Sequence, residues 1–406
     1  MSTRWQDAPP SGVRSTAMLW SYLGMIVMAL VGASGCGPSL RGTADADAVR
    51  AVIERDMLLL EQEAPAPAFL ERLAEHTVVV VGEYHGISHH DALVGEFMVG
   101  LHDHGFRTLL LEYPQAHGWL LDGYARGLLS TPGEAAMRTY GPMLDRVREL
   151  NAGLAPDEQV SVRAIDVNLR EDDFLPAFRG LMHQFGQPRV LRETVAEIEA
   201  GGSRGDLLSR LERHLAEHEE ALRDDWGEAA FNAVQDIVGA ELLSLEVRAA
   251  RAGRQRDEAR ERVMEALVDQ ELARAPGGTL VNVGYYHAQK TSRDGTVKTW
   301  LAEHLVTASP HAEGSVFVLV VVPASGEKTF GDQVRSFDVA TDSPDNELFR
   351  LMSERSGQAP AFLALDDELF STERVVINYL PRLDTEPPAE VFDGFVLLPE
   401  VQPAER

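Results

Sequence analysis

Cysteine is nearly absent: Cys36 is the one such residue in 406. Beyond it, disulfides, thiolate nucleophiles and thiolate metal ligands are excluded. Cations are outnumbered, with 37 Lys and Arg against 64 Asp and Glu and a formal charge of −27. That balance favours solubility and argues against nucleic acid or an anionic membrane surface as a partner. No apolar run reaches the ~20 residues of a membrane-spanning helix. The one Gly-x-Ser-x-Gly string, Gly201-Gly202-Ser203-Arg204-Gly205, follows no expected strand and so does not read as a nucleophile elbow, and the chain has no phosphate loop and no His-Glu-x-x-His pair. No internal repeat is present either. What remains is 44% hydrophobic and 25% charged, which suits a soluble globular protein with a sizeable core.

The cysteine's position matters more than its rarity. Arg4 and Arg14 precede an apolar stretch from Met18 to Gly32, and Ala33-Ser34-Gly35-Cys36 follows. This basic, apolar, small-residue order is that of a secretory signal. A small-small-Cys ending resembles a bacterial lipoprotein signal with Cys36 as the lipidated residue. Residues 1–36 are therefore expected to be a signal that places the protein on a bacterial membrane, periplasmic or at the cell surface. The lipid bilayer would be a partner through Cys36. Residues 37–70 read as a linker with one possible helix over 46–62, and the folded domain is expected from about 69–71 to 406.

Val78-Val79-Val80-Val81 reads as a strand buried on both faces, as in a parallel sheet. Strands are also expected at 107–112, 160–166, 279–284, 316–322 and 391–398. Helices are expected at 89–104, around 119–124, at 134–152 and at 297–305. Ser88-x-x-Asp91 has the spacing of a capping box. Residues 172–275 form an almost wholly helical insertion of three to five helices. Strands alternating with helices predict an α/β fold, a mostly parallel sheet flanked by helices.

Four of these strands end in polar residues: Glu83 and His85, Glu112, Asp166 with Asn168, and His287. In open α/β sheets ligands bind beyond the carboxyl ends of strands. His89 and His90 follow the first strand directly. A strand-end acid such as Asp166 can be a helix cap, and His89 and His90 can simply occupy a first helical turn. Convergence of four strand ends instead predicts one cleft, for which Glu83, His85, Glu112 and His287 are the catalytic candidates. Imidazoles with carboxylates are also a common metal set, which makes Glu83, His85 and His287 the candidates for a divalent ion. Glu and His can equally do general acid–base work.

Gly82-Glu83-x-His85 with His89-His90 resembles the opening block of ChaN-like haem-uptake proteins. Leu110-Leu111-Glu112-Tyr-Pro, then Leu121-Asp122-Gly-Tyr-x-x-Gly127, resembles the second block of that family, and Asp166-Val-Asn168 its third strand end. Arg256-Asp257…Met264 and Val281-x-Val-Gly284-Tyr-Tyr-His287 are similar to the closing block shared with erythromycin esterase-like, Tiki and TraB-type proteins. The resemblance covers about residues 75–170 and 255–322. It implies a cleft that binds haem iron or a divalent metal, with His89, His90, Tyr113, Asp166 and Tyr286 as further cofactor-binding candidates. Equally it implies a hydrolase that splits an ester or amide with water activated by His and Glu. A scaffold without chemistry is the third reading. In the first two cases the partner is a small-molecule ligand or substrate.

Overall fold

The computed structural model describes residues 44–60, 65–201, 205–291, 297–312, 314–330, 333–339, 347–373 and 387–404. The signal expected at 1–36, with Cys36, lies outside them. Eight strands form one sheet in the order β1-β9-β10-β6-β2-β5-β3-β4. They are β1 (Leu58–Leu59), β2 (Val78–Glu83), β3 (Phe106–Pro114), β4 (Ser161–Asp166), β5 (Gly278–Gly284), β6 (Val316–Pro323), β9 (Ala361–Ala364) and β10 (Gly394–Leu398). From β10 to β4 every pairing is parallel. Only the β1–β9 and β9–β10 pairings at one edge are antiparallel. The expected α/β fold is therefore present. A separate ribbon joins β7 (Ser325–Phe330) and β8 (Gln333–Asp338).

The valine run explains itself on the two faces of β2. Val78 and Val80 join a core under the helices Ala46–Asp56, Arg254–Arg274, Leu301–Thr307 and Glu347–Ser356. Val79 and Val81 join the opposite core, under Pro67–Ala74, His89–His102 and Glu134–Asn151. A strand buried on both faces has no polar side to alternate with.

The stretch from 172 to 275 holds more helices than expected, six among the described residues: Glu171–Phe185, Arg192–Gly201, Gly205–Glu217, Glu219–Trp226, Glu228–Ala249 and Arg254–Arg274. The first five close a third core around Phe174, Phe178, Leu211 and Phe231. This core includes Ala116, in the turn just after β3. Asn168, beyond β4, ties the block down. Its side chain donates to Glu241 (2.9 Å) and accepts from Ala116 N (3.2 Å), while its backbone N–H donates to Ser244 Oγ (2.9 Å). Arg248 closes the clasp on Glu241 (2.5 Å) and on the Asn168 carbonyl (2.6 Å).

Other boundaries moved for local reasons. The helix expected over 46–62 in the linker runs over Ala46–Asp56, and its Val49, Val52 and Ile53 enter the core. The helix expected from 297 begins at Leu301, where Glu303 caps the Trp300 backbone. The last strand begins at Gly394 because Pro388–Val391 is a short helix. Ser88 does not cap the helix that follows it: its hydroxyl donates to the Gln402 carbonyl.

Candidate functional site

Four strand ends do meet at the carboxyl edge. β2 delivers Glu83 and, two residues on, His85, whose Nδ1 lies 3.0 Å from Glu83 Oε1. Glu83 pairs across the ladder with Gly284 of β5. The Gly284 N–H donates to Glu112 Oε2 (2.5 Å), which β3 supplies from the other side. A Cβ built on Gly284 would lie 2.8 Å from His85 Nε2 and 3.2 Å from Glu112 Oε2. The gap between these groups is thus no wider than a methyl group could fill, and glycine keeps it open. Tyr140 donates to the Glu112 carbonyl (3.0 Å) and holds that strand end.

His287 follows β5 in a turn closed by its own N–H to the Gly284 carbonyl (2.9 Å). Its Nε2 is 3.3 Å from Glu112 Oε1, and its Nδ1 is 2.6 Å from Glu261 Oε1. The second contact is short but out of line for a hydrogen bond. Arg260 completes the set from the Arg254–Arg274 helix. It grips Asp166 with Nε and Nη2 (2.8 Å each) and shares Nη2 with Glu112 Oε1 (2.5 Å). Nη1, the arm not given to a carboxylate, lies 3.4 Å from His287 Nε2.

Arg260 and Glu261 were not singled out from sequence. The resemblance named Arg256 and Asp257 in the same helix. Arg256 is exposed, whereas Arg260 and Glu261 face the cleft. No sequence signal separates them in a helix whose first nine residues include Arg254, Arg256, Asp257, Glu258, Arg260, Glu261 and Arg262.

The electrostatics follow from these pairs. Burial pushes the Glu83 carboxyl up, but the adjacent His85 charge outweighs it and holds Glu83 below its ordinary value. The Glu83 charge in turn raises His85 to about 9, against its burial. Protein charges surround His85 on the scale of ionic forces, yet 65% of its side chain is open to solvent, so water screens part of that attraction. Burial opposes charge on His287, but Glu261 and then Glu112 lift it to about 10. Glu112 is pushed up by burial and pulled well below the usual carboxylate range by His287 and Arg260. At neutral pH the cleft therefore holds three cations, His85, His287 and Arg260, threaded between carboxylates.

The other candidates divide. Asp166 is part of the lattice and not a helix cap. His90 is fully buried behind Glu83, with Nε2 2.7 Å from Asn282 Oδ1, and burial lowers its pKa. Asp91, read as a cap, is buried there too. His89 is exposed, its Nδ1 accepting from Gln402 N (3.3 Å). Tyr113 packs edge-on against His117 and Tyr140, and burial raises its phenol. Tyr286 stacks on Tyr285 with ring centres 4.4 Å apart.

Glu83, His85 and His287 are not gathered as a metal-ligand set. Among the described residues no three His, Cys, Asp or Glu side chains are grouped to hold an ion. The chemistry of the donors gives the reason. His85 Nδ1 is committed to Glu83, both His287 nitrogens face carboxylates, and the Arg260 guanidinium already neutralises Glu112 and Asp166. Of the haem-ligand candidates, Tyr113 is packed between His117 and Tyr140, whereas Tyr286 and His89 keep exposed surface.

No family model matches the chain, and no curated protein matches it. Solved structures do. A Bacillus cereus protein from structural genomics is 14% identical over 89% of this chain and 99% of its own, with a TM-score of 0.64. A succinoglycan biosynthesis protein is 13% identical over 89% and 98%, with a TM-score of 0.63. An erythromycin esterase in its open conformation is 14% identical over 82% and 93%, with a TM-score of 0.53. At such identities the fold is what is shared. The chain thus has the α/β fold of these proteins, the esterase included, as its Gly-Glu-x-His and Tyr-Tyr-His blocks implied.

Proposed function

We propose that this chain is a hydrolase that splits an ester bond with a water molecule activated at the Glu83–His85 pair. The observation that carries the reading is the Arg260 guanidinium, which sits between Glu112 and Asp166 with one arm toward His287. It places fixed positive charge beside His287 and uses the carboxylates that a metal would need. Fixed charge aimed at a developing oxyanion is the strongest term available to acyl transfer.

The residues divide the chemistry as follows. His85 Nδ1 is held by Glu83, which leaves Nε2 to take a proton from water as the water oxygen attacks the carbonyl carbon. Charge gathering on the carbonyl oxygen meets His287 and Arg260. When the carbon–oxygen bond to the leaving group breaks, the proton on His85 passes to the departing alkoxide, and acid and alcohol leave. The esterase fold supports this reading over amide cleavage, whose leaving group is harder to expel. Among the described residues no three His, Cys, Asp or Glu side chains are grouped to hold a metal ion, which makes haem or metal binding the second reading.

A p-nitrophenyl ester panel tests the proposal. Wild-type protein should turn over at least one ester, Glu83→Gln and His85→Asn should lose it by about 10²-fold or more, and a chelator should leave it unchanged. Loss of activity to the chelator with recovery on zinc, or a hemin absorbance shift without turnover, would sink the proposal.

We propose further that the mature protein is exported and tethered to a bacterial membrane through a lipid on Cys36. The support is the order of basic, apolar and small residues ahead of it.

A further inference from the structure

Cations in this chain are almost all arginine. Lys290, Lys298 and Lys328 are its only lysines among 37 Lys and Arg. Lys290 is paired with Asp393 (2.5 Å). Lys328 lies in β7, on a ribbon the hydrolytic scheme does not use. Its ammonium donates to the Tyr84 hydroxyl and sits 4.5 Å from the Tyr84 ring centre and 5.5 Å from that of Phe337. Among the described residues no carboxylate pairs with it. Arg335, its partner across the ribbon, puts a second cation on the same face.

The ribbon is pressed against the turn that carries His85. The Thr329 N–H donates to the Gly86 carbonyl (2.8 Å), one residue past His85. A Cβ on Gly86 would lie 2.2 Å from the Thr329 carbonyl oxygen. Tyr84 stands between Glu83 and His85 in the chain and stacks on Tyr285 (5.9 Å), the neighbour of Gly284. The ammonium thus rests on a ring from the same turn as the Glu83–His85 pair.

The other cations of the cleft face carboxylates: His85 meets Glu83, His287 meets Glu261 and Glu112, and Arg260 meets Glu112 and Asp166. Lys328 is held instead by two aromatic rings and a phenol, which fix its place and leave its charge. An ammonium has three donors, and Tyr84 takes one. A chain of formal charge −27 repels an anionic ligand except where cations gather. One half-buried ammonium matches a single negative charge, that of a carboxylate, better than the roughly −2 of a phosphate monoester.

We propose that Lys328, braced on Tyr84, forms an acid-binding subsite beside the Glu83–His85 pair, and that the ester this protein splits carries a free carboxylate, as a half-ester of a dicarboxylic acid does. Splitting of the half-ester rests on the hydrolase reading; binding of its acid by Lys328 does not.

Monomethyl succinate, glutarate and adipate, each measured against its dimethyl ester, vary the span from carbonyl to carboxylate, and methanol release reads them all. Wild-type kcat/KM should favour at least one half-ester by about tenfold or more, the worth of a hydrogen bond to a charged group. That preference should shrink at high salt. Lys328→Met keeps an apolar stem over the rings, so it should melt near the wild type with the preference gone. Lys328→Arg keeps the charge and should keep most of the preference. A wild type that takes no half-ester better than its diester, or a Lys328→Met that retains the preference, overturns the subsite. If neither these esters nor the p-nitrophenyl panel is turned over, the hydrolase reading fails, and calorimetric titration with the same compounds decides the subsite alone. Heat from a half-ester that is lost in Lys328→Met upholds it, and no heat from any half-ester overturns it.

Discussion

At the scale of single residues the site is a set of titrations that oppose one another. His85 must be neutral to accept a proton, and its pair with Glu83 holds it protonated up to about 9. His287 must be charged to meet an oxyanion, and Glu261 and Glu112 keep it so up to about 10. The rate of ester hydrolysis should therefore climb about tenfold per pH unit below 9, level off between 9 and 10, and fall above. A pH–rate profile flat from 6 to 8 would remove His85 as the base. Stability has its own sign. A histidine raised on folding adds stability that is full below its unfolded value near 6.5 and is lost as pH rises through the folded one. The His287 contribution should vanish as pH passes about 10, which thermal melts across that range would read. Gly284 gives a steric test: Gly284→Ala puts a methyl group 2.8 Å from His85 Nε2 and 3.2 Å from Glu112 Oε2. It should cost about 1–3 kcal/mol in stability, as overpacking does, and a larger share of kcat. Wild-type kinetics in that variant would mean that substrate does not use the space between these groups.

At the scale of elements, the legible features were those with one dominant cause. Four valines in a row have a single explanation, burial on both faces, and β2 lies where that run predicts. The polar residues after β2, β3, β4 and β5 were legible as a site because a parallel sheet aligns its carboxyl ends. Residues supplied from helices were not. Arg260 and Glu261 sit in a helix charged at almost every early position, so nothing in the pattern separates inward charge from solvated charge. Asp91 had the spacing of a cap and is instead buried beneath Glu83, because Ser88 turns its hydroxyl to the carbonyl of Gln402. The helical block was countable only roughly, since short helices such as Glu219–Trp226 differ from their neighbours only in how the chain turns. Its attachment can be tested. Glu241 is fully buried, and its partner Arg248 is partly open. Glu241→Ala strands Arg248 and the Asn168 amide and should cost on the order of 3 kcal/mol, the low end for a broken buried pair. Amide exchange should rise first in Glu228–Ala249. Equal loss of protection in β2 would mean that the block does not open as a separate unit.

At the scale of the whole molecule, the proposed lipid anchor sets where this chemistry happens. Cys36→Ala should move the protein from the membrane fraction to the soluble one in a bacterial host, and a wild type found soluble with Met1 at its N-terminus would end the lipoprotein reading. The order of the sheet carries a different consequence, in time. β2 is flanked by β5 and β6, and Val78 pairs with Thr279 and Val316, residues 201 and 238 positions later (279 − 78 and 316 − 78). A ribosome adding about 5–20 residues per second needs roughly 10–40 s to supply the first of those partners. Throughout that interval this four-valine strand has neither neighbour, and both its edges are free to pair with another nascent chain. Intervening helices can cover the two faces of β2 during the wait, but not its edges. The four valines thus wait unpaired for that interval, and slower translation should raise the fraction of the protein that aggregates.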